Sequence, residues 1–162
     1  MIYTDSQIRT ALTNLNSAFA AREESAPADG YRVVFLEHPV LNGKLIPEGG
    51  LRFSERLSGL PQDVELYKKE HCPFCKSAAK VEKVFKDGNS AVRSLSNQVL
   101  VIPKKHYAHW FVIPLDEQIE LFKEAMEMRY GNSAAAARPV ELHCGAAAGQ
   151  TVFHTHVRTG VF

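Results

Sequence analysis

At 162 residues, 45% of them hydrophobic and 23% charged, the chain has the make-up of one globular domain, or one domain with a sizeable extension, and not of a disordered or fibrous protein. A net charge of +1 excludes broad electrostatic capture of nucleic acid or of an anionic membrane, so any phosphate recognition must be local. No run approaches membrane-spanning length and the opening residues lack a basic region followed by an apolar stretch, so the expectation is a cytoplasmic protein with no membrane association.

In chain order, Thr4 and Gln7 form a capping box ahead of Ile8, Leu12, Leu15 and Phe19 at helical spacing, which predicts a helix from about Asp5 to Arg22. Pro27, Asp29 and Gly30 then turn the chain into Tyr31-Arg32-Val33-Val34-Phe35-Leu36, a predicted strand. Residues 37–61 read as Pro- and Gly-punctuated loop, and His38 and His71 stand isolated, as surface or capping histidines. Cys72-Pro73-Phe74-Cys75 follows, a spacing that lets two thiolates reach one tetrahedral Zn and equally suits a dithiol redox pair. A redox pair expects a buried strand leading in; Tyr67-Lys68-Lys69-Glu70-His71 is not one, which favours metal and leaves two further ligands to be found. Cys144 reads as a buried thiol.

Val81–Phe85, an Asp87-Gly88-Asn89 turn and Ala91–Arg93 predict a hairpin, and Gln98–Ile102 a buried strand ending at Pro103. His106 stands just past that strand end, where a third ligand can converge on the cysteines. Asp116 is placed as the cap of a helix with a stripe of Ile119, Phe122, Ala125 and Met126, stopped by Gly131. After a small-residue loop, Val140–Cys144 is the penultimate strand. The closing stretch, Gly149-Gln150-Thr151-Val152-Phe153-His154-Thr155-His156-Val157-Arg158, read as a strand, puts Val152, His154, His156 and Arg158 on one side. Two imidazoles and a guanidinium in a row suit a phosphate or a metal, because His attacks, ligates or carries protons while Arg grips oxyanions.

The cysteine pair, Val99-Leu100-Val101-Ile102-Pro103-Lys104-Lys105-His106, the helix after Asp116 and the Gly145–His156 string, in that order, resemble the histidine-triad (HIT) superfamily of nucleotide hydrolases and transferases, over roughly residues 70 to 160. The resemblance implies an α+β fold, an antiparallel sheet with a long helix packed on it, here with an N-terminal helix-and-strand extension over residues 1–69 ahead of a HIT-like domain over 70–162. It also implies pairing into a homodimer through helix and sheet. It further implies a structural Zn on Cys72, Cys75, His106 and the first triad residue, His154, with no open position for substrate.

By the same resemblance His156 is the nucleophile, attacking the α-phosphorus of a nucleotide or nucleotide conjugate to give a nucleotidyl-histidine. Backbone amides near Gly149 and Gln150, with the Gln150 and Thr151 side chains, would hold the phosphate oxygens. Two positions depart from the family pattern. Arg158 replaces the third histidine, a strong phosphate clamp that cannot lend a proton near neutral pH, and His143 stands where relatives often carry a substrate-contacting Asn. The function expected is hydrolysis or nucleotidyl transfer at an α-phosphate, with His156, Arg158 and His154 in the catalytic machinery. The alternative is a Zn-stabilised nucleotide-binding or scaffold module with little turnover.

Overall fold

A computed structural model of the chain describes residues 4–25, 30–34, 52–54, 72–75, 80–94, 98–130, 140–145, 150, 152 and 154–161. The capping box opens the first helix, α1 (Asp5–Ser25), as expected: Gln7 N–H donates to Thr4 Oγ1 (3.1 Å) and Thr4 N–H to Gln7 Oε1 (2.9 Å). Strands β1 (Gly30–Val34) and β2 (Arg52–Ser54) follow; β2 lies inside a stretch expected to be loop, where a three-residue strand leaves no alternation long enough to see. Next come β3 (Lys80–Val84), β4 (Ser90–Arg93), β5 (Gln98–Ile102), a short 3-10 turn at Trp110–Val112, α2 (Leu115–Tyr130), β6 (Glu141–Cys144) and β7 (Val157–Val161). Asp116 is not the cap of α2 but sits in its first turn; the helix starts behind Pro114, whose carbonyl accepts from Gln118 N–H (2.9 Å).

The strands form one antiparallel sheet in the order β2-β1-β6-β7-β5-β4-β3. Alternation sorts its side chains onto two faces. Tyr31, Val33, Ala91, Val99, Val101, Leu142, Cys144 and Val157 point to the helix side and join Ile8, Leu12 and Leu15 of α1 with Ile119, Phe122, Ala125 and Met126 of α2 in one core. The other face carries a small cluster of Val92, Leu100 and Ile102 under Phe74, and then a polar strip. α1 lies on α2 through Arg9–Asp116 (2.8 Å), Lys123–Asp5 (2.7 Å) and a reciprocal amide pair between Asn16 and the buried Gln118 (2.8 and 3.2 Å). No described helix is long and apolar enough to cross a membrane.

The Asp87–Asn89 turn is latched to α2. Asn89 Nδ2 donates to Glu124 Oε1 (2.8 Å) and Asn89 Oδ1 accepts from Lys104 N–H (3.0 Å), while Gly88 takes φ +94°, which a side chain resists. Burial first, and the neighbouring Asp87 carboxylate second, push the Glu124 pKa up to about 8. The folded chain therefore keeps a proton that the unfolded chain releases near the ordinary value of 4.5. Stability is expected to fall as pH rises between those limits, with a slope of up to about 1.4 kcal/mol per pH unit, and to level off above. Glu124→Gln should flatten that slope in denaturant titrations across the window; an unchanged slope would show that Glu124 ionises normally.

Candidate functional site

Three loops meet at the end of β5. The turn at Cys72–Cys75 folds back so that Cys75 N–H donates to Cys72 Sγ (3.4 Å), the geometry that stabilises a thiolate. His106 follows β5, and the segment before β7 brings in His154. Cys72 Sγ lies 3.5 Å from His154 Nδ1, Cys75 Sγ 3.2 Å from His106 Nδ1 and 3.5 Å from His154 Nδ1, and the two Nδ1 atoms are 3.2 Å apart. All four donor atoms fall within 4.8 Å of one another. A tetrahedral ion with ordinary Zn–S and Zn–N bonds would set neighbouring S and N atoms roughly 3.6 Å apart and two N atoms roughly 3.3 Å apart. The cluster is thus dimensioned for a metal ion.

The tautomer of His154 also suits ligation. Its Nε2 lies 2.9 Å from the Pro103 carbonyl, which can only accept, so the proton is on Nε2 and the lone pair on Nδ1 faces the cysteines. Burial pulls its pKa down to about 4, so the ring stays neutral. Phe74 packs edge-on against both His154 and His156, with ring centroids 5.7 and 5.6 Å away.

His154 and His156 do not lie on one continuous strand. β7 begins only at Val157, because Thr155 N–H and Oγ1–H both donate to the Tyr107 carbonyl (2.7 and 3.0 Å) and draw residues 154–156 onto the loop after β5. That detour turns His154 toward the cysteines. His156 and Arg158 keep a common side, the polar face of the sheet. His156 Nδ1–H donates to the His154 carbonyl (2.9 Å), leaving the lone pair on Nε2. Burial first, then the charge of Arg158 and the nearness of His143, hold its pKa below the ordinary value, so it is a neutral imidazole near pH 7.

Arg158 donates through Nε (3.0 Å) and Nη2 (2.9 Å) to Gln98 Oε1 on β5, and among the described residues no carboxylate pairs with it. Its charge is oriented without being neutralised. Glu141 lies across from Arg158 on β6, but its Oε2 accepts from Arg32 Nε (2.8 Å) and Nη2 (2.5 Å) of β1. His143, two residues on, shares this face, and its pKa is lowered by burial and by Arg158.

Gln150, expected to reach phosphate oxygens, is buried, and its side chain is committed to backbone: Nε2 donates to the carbonyls of Ala108 (2.6 Å) and Val152 (3.1 Å), and Oε1 accepts from Gly145 N–H (2.8 Å). It ties three turns together beneath the site. Gly149 and Thr151 lie outside the described residues. Gln98, Glu141 and Arg32 belong to no motif, although the alternation of β5, β6 and β1 places all three on the polar face, and Phe74 sits inside the cysteine motif without its spacing pointing to a contact with the histidines. Cys144 is a core thiol, pushed up to about 12 by burial.

Residues 84–158 match the family model of the HIT domain. A HIT family hydrolase from Clostridium thermocellum is 30% identical, over 55% of this chain and 88% of its own, with a TM-score of 0.43. A hypothetical histidine triad nucleotide-binding protein from Sulfolobus tokodaii is 28% identical, over 54% of this chain and 64% of its own, with a TM-score of 0.44; the chain thus spans under two thirds of that protein. No curated protein matches the chain. On the matched domain and the identity to the Clostridium hydrolase, the chain belongs to the histidine-triad (HIT) family.

Proposed function

We propose that the protein hydrolyses or transfers at the α-phosphate of a nucleotide conjugate through a nucleotidyl intermediate on His156. The observation that carries this reading is the pair on the polar face: His156 with its Nδ1 proton fixed on the His154 carbonyl and its lone pair on Nε2, beside the un-neutralised Arg158. In this reading Nε2 attacks phosphorus as the bond to the leaving group breaks, and the guanidinium meets the charge that builds on the phosphate oxygens. Cys72, Cys75, His106 and His154 would hold Zn, whose part is structural, because four protein ligands leave no open position. His154 then serves twice: its ring is held by the metal and its carbonyl orients His156. In this reading residues 70–162 are the HIT-like unit and residues 1–69 an extension, whose described elements α1 and β1 pack against it. A homodimer extending this sheet would pair on β2 or β3, the outer strands, because β6 is flanked by β1 and β7.

The test is to mix the protein with an adenosine phosphoramidate, quench in base and look for an adenylyl mass on the peptide holding His156. Its absence, together with tight nucleotide binding, favours the second reading, a nucleotide-binding module without turnover, which rests on Arg158 having no proton to give. Arg158 separates the two further. Arg158→Gln is expected to weaken nucleotide binding by roughly 1.5–3 kcal/mol, measured calorimetrically. Arg158→His is expected to raise turnover on poor leaving groups and change little on good ones. Unchanged affinity in Arg158→Gln would mean that the guanidinium serves only Gln98.

A further inference from the structure

We infer that His143 is the general base of the second half-reaction, taking the proton from the water that releases the nucleotide from His156. This rests on the proposed role of His156 as nucleophile. The starting point is strand register. Glu141 and Arg158 are antiparallel partners; His143 stands two residues further along β6 and His156 two residues before Arg158, just ahead of β7, which brings both toward the same end of the polar face beside Arg158. The electrostatics agree, since His143 and Arg158 both act on the His156 charge and Arg158 on that of His143.

The surroundings of His143 are those of a proton acceptor. Glu141 gives its Oε2 to Arg32, the β1 partner of His143, and its Oε1 lies 3.8 Å from His143 Nε2. A carboxylate there stabilises an imidazolium once formed and leaves Nδ1 to receive the proton. Before the step the ring is neutral, because burial and Arg158 outweigh Glu141. Arg158 cannot take this part, as a guanidinium has no acceptor. In the step itself the water oxygen bonds to phosphorus, the P–Nε2 bond breaks with its electron pair returning to His156, and the water proton passes to His143; the products are the nucleoside monophosphate and a His143 imidazolium, which loses its proton to solvent.

The p-nitrophenyl ester of AMP tests this, because its leaving group needs no proton and the release of nitrophenolate reports the first half alone. Wild type should show a burst and then a slower steady state. His143→Asn should keep the burst rate and lose roughly 10²-fold or more in the steady state, with adenylyl-His156 accumulating on the peptide and added imidazole restoring the slope. His143→Gln should behave the same way, with metal content and melting compared with wild type to confirm an intact fold. Steady-state rates equal to wild type, or burst and steady state falling together, would overturn the assignment of His143 alone. A wild type with neither burst nor adduct would remove His156 as nucleophile, and His143 as its base with it.

Discussion

Cys75→Ser is expected to leave purification without the roughly one Zn per chain expected of the wild type, and to melt far below it. The physical reason is that one ion would join three segments: Cys72–Cys75, His106 and His154 come from parts of the chain separated by 31 to 82 positions, and their donor atoms crowd within 4.8 Å. Without a cation, two sulfurs and two imidazole lone pairs face one another. Structural Zn contributes about 10–16 kcal/mol of apparent binding energy in small peptides, comparable to or above the whole stability of an ordinary domain, so a loss of more than about 3 kcal/mol is the expectation here. His154→Ala should have the same effect and also disable the site. Metal analysis and thermal melts with and without chelator make the measurement. A wild type that binds no Zn and whose Cys72 and Cys75 thiols react freely would refute the metal reading.

His156→Ala is expected to abolish nucleotidyl transfer, by about four orders of magnitude or more, while metal content and melting stay at wild-type values. The ring contributes one backbone hydrogen bond and an edge contact with Phe74, so its loss costs the fold little, whereas no other described imidazole on that face has the His154 carbonyl fixing its tautomer. Turnover at the wild-type rate in His156→Ala would move the nucleophile elsewhere, with His143 the next residue to examine.

Much of this site is legible in the sequence because its chemistry is local. The Cys72/Cys75 spacing announces two ligands, His106 sits at a strand end that Pro103 punctuates, and His156 and Arg158 share a face through simple alternation. His154 is where alternation misleads. Its direction is decided by Thr155 bonding the Tyr107 carbonyl, a contact across 48 residues that no window of sequence contains. Gln150 is similar: the family resemblance implies a ligand contact, and only the tertiary structure shows three backbone groups consuming its side chain. The capping box of α1 and the boundaries of β5 were readable since both depend on neighbours a few residues apart. β2 was not, being three residues held by its pairing with β1.

The docking of α1 and β1 has a kinetic consequence. Arg9 pairs with Asp116, Asn16 with Gln118 and Arg32 with Glu141, separations of 107, 102 and 109 residues. α1 and β1, which leave the ribosome before α2 and β6, therefore wait for partners made more than a hundred residues later, and the apolar stripe of Ile8, Leu12 and Leu15 stays uncovered until α2 and β6 exist. Contacts of such long range slow folding, because loop closure is opposed by entropy before any burial compensates it. During synthesis α1 and β1 thus keep apolar surface exposed until α2 and β6 have been made, and the later elements decide when the earlier ones dock.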